Sequence, residues 1–268
     1  MDASAGESAA TKGPAGEIAD HEIMGGFLKG LSVIVAFDRD HDSLTIAEVA
    51  RLTGLDRATA RRCLLTLVRL GYAETDGKRF KLTVRVLRLG YAYLSATSLP
   101  RLIQPYLERL SETTGESCSA SVLDGEEIVY IARASQRRVL SIGLSVGSRL
   151  PAYCTSMGRV LLGALPTTEA RGVLDRSARR KLTPSTVTAI ERLIEILDET
   201  RRVDFALIDQ ELEIGLRSIA VPLRNERGKV LAAVNVGLQA ARMTPADMQR
   251  EVLPRLRALQ AELSPLLP

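Results

Sequence analysis

Apolar residues recur at helical spacing in several stretches of the chain, and short apolar runs bounded by turn residues lie between these stretches. The mostly apolar segment 26–38, "GFLKGLSVIVAFD", predicts a helix that ends at the polar loop "DRDHDS". Residues 1–23 lack this periodicity and are rich in small and polar residues, so they predict a mobile tail.

Two short helices are predicted over about residues 45–70, because this segment carries clear start and stop signals. Thr45 is followed three residues later by Glu48, the spacing of a capping box. Asp56 is the expected N-cap of the second helix, and a glycine closes each helix. Two short helices joined by a tight turn form a helix-turn-helix.

The runs "YAET" and "FKLT" flank the turn "DGKR", which predicts a two-stranded wing over residues 72–83. The segment 24–83 is therefore predicted to be a winged helix-turn-helix domain. Such domains bind DNA, and some copies bind another protein instead.

Positive charge is concentrated in and just after the predicted winged helix-turn-helix. From Arg51 to Arg88 there are ten Lys or Arg residues and three acids, on a chain whose net charge is only +4. This surplus indicates a polyanionic partner, although a solvated basic face would give the same composition.

The predicted second helix of the motif indicates which basic side chains face outward. If Ala60, Leu64 and Leu67 pack inward, the basic side chains before and after them project outward, where arginine can read guanine edges in a major groove. Arginines near the helix start are predicted to contact bases, threonines to contact phosphates, and wing residues to contact adjacent phosphates or the minor groove. The predicted DNA-binding residues are Thr45, Arg57, Thr59, Arg61, Arg62, Thr66, Lys78, Arg79 and Lys81.

A linker helix is predicted over residues 84–98, where Val84, Leu87, Tyr91 and Leu94 repeat at intervals of three and four. This narrow apolar seam fits either packing on its own domain or a contact between two subunits, and we favour the subunit contact.

Residues 99–268 predict an α+β domain with an antiparallel sheet and flanking helices. The predicted strands are "SASVL", "IVYIARA", "VLSIGL", "SIAVPL" and "KVLAAVNVGL". Helices are predicted over about 100–115 and 155–165, over "TAIERLIEILDETRRV", and over a C-terminal amphipathic stretch interrupted at Pro254.

The cysteines and histidines argue against several kinds of chemistry. The three cysteines are widely spaced and no histidine follows His41, so neither a disulfide framework nor a Cys–His catalytic pair is expected in the large domain. No cofactor and no metal are predicted. The sequence shows no secretory signal and no apolar run of about 20 residues, which predicts a cytoplasmic protein without a membrane partner.

Three segments together resemble the IclR-type transcription regulators: "TIAEVARLTGLDRATARRCLLTLVRLGY" with its wing, "LPAYCTSMGRVLLG" and "DQELEIGLRSIAVPL". The resemblance covers about residues 26–265. It implies a winged helix, a linker helix and a GAF-like effector domain that binds a small organic acid, in a homodimer or a dimer of dimers. The segment "AYCTSMGR" is most similar to the branch that regulates aromatic-acid catabolism (protocatechuate, 4-hydroxybenzoate and β-ketoadipate pathways).

The resemblance also implies which residues line the effector site. Ser218 takes the place of a cysteine found in many members, and Ile208–Asp209 stands where many members have two acids, which argues against a metal there. Read from the residues alone, Thr155 and Ser156 can cap a helix whose free N–H groups attract a carboxylate, with Arg149 as a charged fork or as a surface residue. The predicted ligand-binding residues are Arg149, Cys154, Thr155, Ser156, Met157, Asp209, Ser218, Asn235 and Gly237.

The sequence thus predicts a ligand-responsive, homodimeric regulator that binds a double-stranded DNA operator and a small organic or aromatic carboxylate, and that activates or represses catabolic genes. The alternative is an enzyme that uses Cys154 or Asp209. A purely structural DNA-organising protein would not need the second domain.

Overall fold

The computed structural model describes residues 20–38, 40–96, 98–135 and 143–268. The chain divides into two units, Met1–Tyr93 and Leu94–Pro268. Most of the predicted tail and most of the predicted strand "VLSIGL" lie outside the described residues. No helix in the described part of the chain is both long and apolar enough to span a bilayer.

The first unit is a winged helix-turn-helix. Its elements are α1 (Gly25–Val35), β1 (Leu44–Thr45), α2 (Ile46–Thr53), α3 (Arg57–Leu70), β2 (Ala73–Thr75) and β3 (Arg79–Leu82). The strands form an antiparallel sheet in the order β1-β3-β2. Strand β1 was not predicted, because a two-residue strand is defined by its partner Phe80 and has no periodicity of its own.

The local signals read from the sequence set these helix ends. Thr45 caps α2 and Glu48 bonds back to the Thr45 backbone N–H at 2.7 Å, which completes the capping box. Asp56 caps α3 by accepting a hydrogen bond from the Thr59 backbone N–H at 2.8 Å. Gly71 ends α3 in the left-handed conformation, with φ of 75°. The core beneath them includes Val33, Val49, Ala60, Leu64, Leu67 and Phe80.

After a 3₁₀ turn (Val84–Val86), α4 (Leu87–Ala96) occupies the segment predicted as a linker helix. The remaining elements are α5 (Ser98–Thr114), β4 (Ser117–Asp124), β5 (Glu127–Ala134), β6 (Arg149–Pro151), α6 (Ser156–Gly163), α7 (Thr167–Arg176), α8 (Ile190–Val203), β7 (Ala206–Asp209), β8 (Leu216–Arg224), β9 (Val230–Gln239), a short helical turn α9 (Pro245–Asp247), a π-helical turn (Met248–Val252) and α10 (Leu253–Leu263).

The second unit is built on a six-stranded antiparallel sheet in the order β6-β5-β4-β9-β8-β7. Helices α5 and α10 pack on one face through a core that includes Ile103, Leu107 and Leu256. Helices α6 to α8 cover the opposite face through a second core around Met157, Leu162 and Leu197. This is the α+β architecture that the strand and helix pattern predicts. Helix α7 and strands β6 and β7 were not predicted. The strands have only three and four residues, and α7 carries a single apolar set, Ala170, Val173 and Leu174, interrupted by Gly172.

Candidate functional sites

The outer face of α3 is basic. Arg57, Arg61 and Arg62 are all exposed, whereas Leu64 and Leu67 pack into the core of the first unit. Among the described residues, no ion pair involves any of these three arginines. Their guanidinium groups are therefore free to meet an external anion.

The structure corrects the prediction that Thr59 contacts DNA. Its side chain is only 7% exposed, so it does not project from the outer face as predicted. The Thr59 backbone N–H donates to the Asp56 carboxylate, and the Thr59 hydroxyl accepts a 3.3 Å hydrogen bond from Arg62 Nη2. Thr59 thus orients an arginine and is withdrawn from any DNA surface.

The other residues predicted to contact DNA differ in whether their side chains already bond within the chain. Thr66 is exposed and donates its hydroxyl to the Arg62 carbonyl at 2.8 Å, while half-buried Thr45 uses its hydroxyl to cap α2. Lys78 and Lys81 on the wing are exposed. Arg79, however, folds back onto its own unit: its Nε lies 3.0 Å from Ser43 Oγ, its Nη2 bonds to the Ser43 carbonyl, and Glu48 lies 3.7 Å away.

The tip of the wing is held by Asp76, whose carboxylate accepts the backbone N–H groups of Arg79 at 2.7 Å and Lys78 at 2.8 Å. These backbone hydrogen bonds lower the pKa of Asp76. The turn is completed by Gly77, whose φ of 95° few other residues adopt.

The second unit contains a cavity of about 650 Å³ between the face of the sheet, the start of α6 and the loop after β7. This volume lies within the range of small-molecule sites. The lining combines apolar side chains with small polar and charged ones. It includes Glu116, Ser119, Tyr130, Arg133, Leu144, Cys154, Thr155, Ser156, Met157, Leu212, Ser218, Asn235, Gly237 and Arg242.

The start of α6 is fixed to the sheet by side-chain contacts. Thr155 caps the helix by accepting the Gly158 N–H at 3.2 Å. Ser156 and Ser218 share a hydrogen bond of 2.9 Å, and Ser121 donates to the Met157 sulfur at 3.2 Å.

A buried ion pair holds the loop after β7 to the same helix. Arg159 Nη2 lies 2.7 Å from Glu211 Oε2, and both side chains are at least nine-tenths buried. Arg159 Nε also donates to the Tyr153 carbonyl at 3.1 Å, while Glu211 accepts the Val187 backbone N–H at 3.0 Å. The loop that lines the cavity is therefore connected to α6 through one charged pair.

Seven of the predicted ligand-binding residues line this cavity: Cys154, Thr155, Ser156, Met157, Ser218, Asn235 and Gly237. Arg149 and Asp209 do not. Arg149 sits at the outer edge of the sheet, 2.8 Å from Asp124 and 2.7 Å from Glu127, because β6 pairs at the end of β5. Asp209 is held 2.7 Å from Arg217 on the neighbouring strand. Both residues are neutralised within the chain, which corrects their predicted roles.

Several lining residues were missed from the sequence, above all Arg133. It interrupts the apolar run "IVYIARA" of β5, and a charged residue inside a buried strand is the signal that could have identified it. Its Nη1 donates to Ser119 Oγ at 3.0 Å. Nearby, burial raises the pKa of Tyr130 to about 12, so its phenol stays protonated at neutral pH.

Cys154 lines the cavity as a protonated thiol. Burial raises its pKa to about 11, and burial likewise raises the pKa of Cys118 to about 12. Since the thiolate is the nucleophile, neither group is activated at neutral pH. No group of three or more potential metal ligands is found among the described residues.

Alkylation tests this assignment. Because a raised pKa keeps the thiol protonated until the pH approaches 11, Cys154 is expected to react with iodoacetamide far more slowly than a free cysteine at pH 7.5. Half-buried Cys63 on α3 serves as the internal comparison in peptide mass mapping. Fast modification of Cys154 at neutral pH would contradict the assignment and support an activated nucleophile.

A winged helix-turn-helix followed by a sheet domain with a cavity of small-molecule size is the arrangement of a ligand-responsive transcription regulator. Two family models match the chain: the IclR helix-turn-helix domain over residues 28–77, and the bacterial transcriptional regulator IclR C-terminal domain over residues 91–265. The chain belongs to the IclR family. It is a ligand-responsive, DNA-binding transcription regulator of the branch that controls aromatic catabolism.

Three known proteins illustrate the similarity. The Pca regulon regulatory protein of Pseudomonas putida is 44% identical over 91% of this chain and 84% of that protein. The p-hydroxybenzoate hydroxylase transcriptional activator of Acinetobacter baylyi is 39% identical over 94% of both chains. The inducer-binding domain of a double mutant of the Acinetobacter PobR transcription factor, solved with 3-hydroxybenzoic acid, matches with a TM-score of 0.60 and 36% identity over 63% of this chain and 98% of that one.

Proposed function

We propose that the protein is a homodimeric, cytoplasmic regulator that binds an operator duplex through α3 and the wing, and whose affinity for that duplex changes when a small organic or aromatic carboxylate enters the cavity. The exposed, unpaired arginines on α3 carry the DNA-binding half of this proposal. The relative that holds 3-hydroxybenzoic acid in its inducer-binding domain supports an aromatic acid as the effector. Catabolic genes are the proposed targets. Whether their transcription rises or falls when the protein binds the operator decides between activation and repression.

In this proposal Arg57, Arg61 and Arg62 lie in or beside the major groove, Thr66 and Thr45 meet phosphates, and Lys78 and Lys81 on the wing meet the adjacent backbone. Arg79 serves chiefly to brace the wing against Ser43. Arginine can donate two hydrogen bonds to guanine, which makes Arg61 the sharpest test of base reading.

Arg61→Ala is expected to weaken binding about tenfold to a hundredfold on a duplex selected by the wild-type protein, and much less on unrelated DNA. Thr66→Val should weaken both duplexes to a similar, smaller extent. Fluorescence anisotropy at several salt concentrations measures both effects. Arg192→Ala, which removes the same charge from an exposed residue of the second unit, is the matched control. An equal loss for Arg61→Ala on both duplexes would make its role electrostatic.

A second copy of the chain is the proposed partner of the apolar side chains that α1 and α4 leave exposed. Phe27 on α1 is 65% exposed, and Leu87 and Tyr91 on α4 are 73% and 70% exposed. Large apolar side chains exposed in this way are typical of surfaces that a partner covers. Two copies would present two α3 helices, which must reach half-sites about 34 Å apart or a multiple of that distance.

The enzyme alternative lacks support from either residue it would use. Cys154 is a protonated thiol, and the Asp209 carboxylate is paired with Arg217. The relatives are named as regulators of transcription. We therefore propose binding without turnover: an acid that binds the cavity is recovered unchanged, which chromatography of the incubated acid tests directly.

A further inference from the structure

The cavity contains one row of polar side chains that crosses three adjacent strands. Arg133 on β5 pairs with Ser119 on β4, and Ser119 pairs with Asn235 on β9. Residues directly opposite each other in an antiparallel ladder point to the same face of the sheet. All three residues line the cavity.

Arg133 carries a positive charge that no described residue neutralises. Its guanidinium bonds to the neutral hydroxyl of Ser119, and no described carboxylate forms an ion pair with it. The segment 136–142 that follows β5 contains no Asp or Glu in its sequence. Within the described part of the chain, Arg242 also lines the cavity and is paired with Glu116, while Arg159 on α6 and Arg217 on β8 are paired with Glu211 and Asp209. A half-buried guanidinium without a counter-charge is unfavourable unless an anion joins it.

Asn235 gives a second, independent indication. Its side chain is nine-tenths buried, and within the described residues its Oδ1 has no hydrogen-bond partner. Buried amide groups in folded proteins are nearly always hydrogen-bonded, so an amide oxygen without a partner on a cavity wall indicates that the amide bonds to, or turns toward, a ligand.

We infer that Arg133 anchors the carboxylate of the effector, that the Ser119 hydroxyl donates to it, and that the Asn235 amide turns so that its Nδ2 N–H donates as well. The inference rests on the proposed function, since it places the proposed acid in the cavity. It also replaces the first turn of α6 as the carboxylate site. There the Thr155 hydroxyl already accepts the Gly158 N–H, and the Ser156 hydroxyl is paired with Ser218.

The anchor fixes the direction of the rest of the ligand. Strands lie about 4.8 Å apart, so a carboxylate above Ser119 reaches both Arg133 and Asn235. Tyr130, Leu144 and Met157 belong to the apolar part of the lining. An aromatic or short aliphatic body attached to the carboxylate therefore packs against these side chains, and an uncharged amide of the same shape loses the charged hydrogen bonds to Arg133.

Thermal denaturation of the full chain tests this inference with 4-hydroxybenzoate, 3-hydroxybenzoate and benzoate, each compared with its uncharged benzamide. Wild type should be stabilised by at least one acid and not by the matching amide. Arg133→Met should weaken that acid about 10- to 100-fold, the size of a lost charged hydrogen bond. Without ligand, Arg133→Met should melt at the same temperature as wild type or higher, because an unpaired charge has been removed.

Two further variants make the test selective. Arg149→Met removes an arginine that is ion-paired outside the cavity and should leave acid binding unchanged. Asn235→Asp places a carboxylate beside the anchor and should abolish stabilisation by the acid while raising the melting temperature of the free protein.

Three outcomes would overturn the inference: acid binding by Arg133→Met at wild-type affinity, a lower melting temperature of the free variant, or no stabilisation of wild type by any acid of the set. An acid that binds through Arg133 but leaves operator affinity unchanged would support the anchor and contradict the proposed function, so the two failures are distinguishable.

Discussion

Arg159→Met is expected to destabilise the second unit by about 3–5 kcal/mol, the cost of removing one partner of a buried ion pair. The loss is large because Glu211 would remain buried without its counter-charge. The Tyr153 carbonyl would also lose the hydrogen bond from Arg159 Nε. Urea unfolding followed by circular dichroism measures the change, since the chain contains no tryptophan. Hydrogen exchange in peptides covering 156–163 and 205–216 locates it.

Two controls separate the buried pair from arginine pairs in general. Arg149→Met breaks exposed ion pairs and should cost no more than about 1 kcal/mol. The double variant Arg159→Met, Glu211→Leu should recover most of the loss, because no uncompensated charge is left. A single variant Arg159→Met as stable as wild type would contradict the role assigned to this pair.

Gly158→Ala is expected to destabilise the same unit by about 3 kcal/mol, the upper end of the usual cost of overpacking. A Cβ at this position would lie 2.2 Å from the Ala152 carbonyl oxygen and 2.5 Å from the Thr155 hydroxyl. The first of these atoms is backbone and cannot rotate away, so the start of α6 must move. Because Ser156 and Met157 line the cavity from this turn, acid binding should weaken together with stability.

Gly172→Ala is the matched control on α7. There the added methyl would have only the flexible end of Arg176 within 4 Å, at 3.6 Å. Alanine in a helix interior is favoured over glycine by about 0.5–1 kcal/mol, so this variant should be slightly more stable than wild type. If Gly158→Ala and Gly172→Ala changed the free energy of unfolding alike, the close approach at Gly158 would have no energetic consequence.

The sequence predicted the first unit in detail because its signals are local. The capping box at Thr45, the N-cap at Asp56 and the glycine end at Gly71 each act over a few residues, and the structure contains all three. Thr59 was misplaced because a helical face estimated from spacing is uncertain by one position at the first turn. In the structure Thr59 falls on the buried side of the helix, next to the core residue Ala60.

The cavity was less predictable because it is assembled from strands far apart in sequence. Arg133, Ser119 and Asn235 are brought together by the pairing of β5, β4 and β9, which periodicity cannot reveal. The predicted ligand-binding roles of Arg149 and Asp209 were wrong for the same reason. Each is neutralised by partners that the strand order supplies, Glu127 for one and Arg217 for the other.

The response to an acid requires that the acid favour one arrangement of the protein over another, since a ligand with equal affinity for both would shift nothing. The loop after β7 and the start of α6 both line the cavity and are joined by Arg159 and Glu211. A ligand that moves either the loop or the helix is therefore expected to move the other as well. Because such coupling between two binding sites is reciprocal, operator DNA is expected to change the affinity for the acid by an equal factor.

The most direct test of the regulator is the affinity of the full chain for its selected duplex, measured with and without a saturating acid that thermal denaturation has shown to bind. We expect a change of at least fivefold, as typical allosteric couplings give, and no such change in Arg133→Met. An identical affinity with the cavity empty and with the acid bound would contradict regulation by the acid.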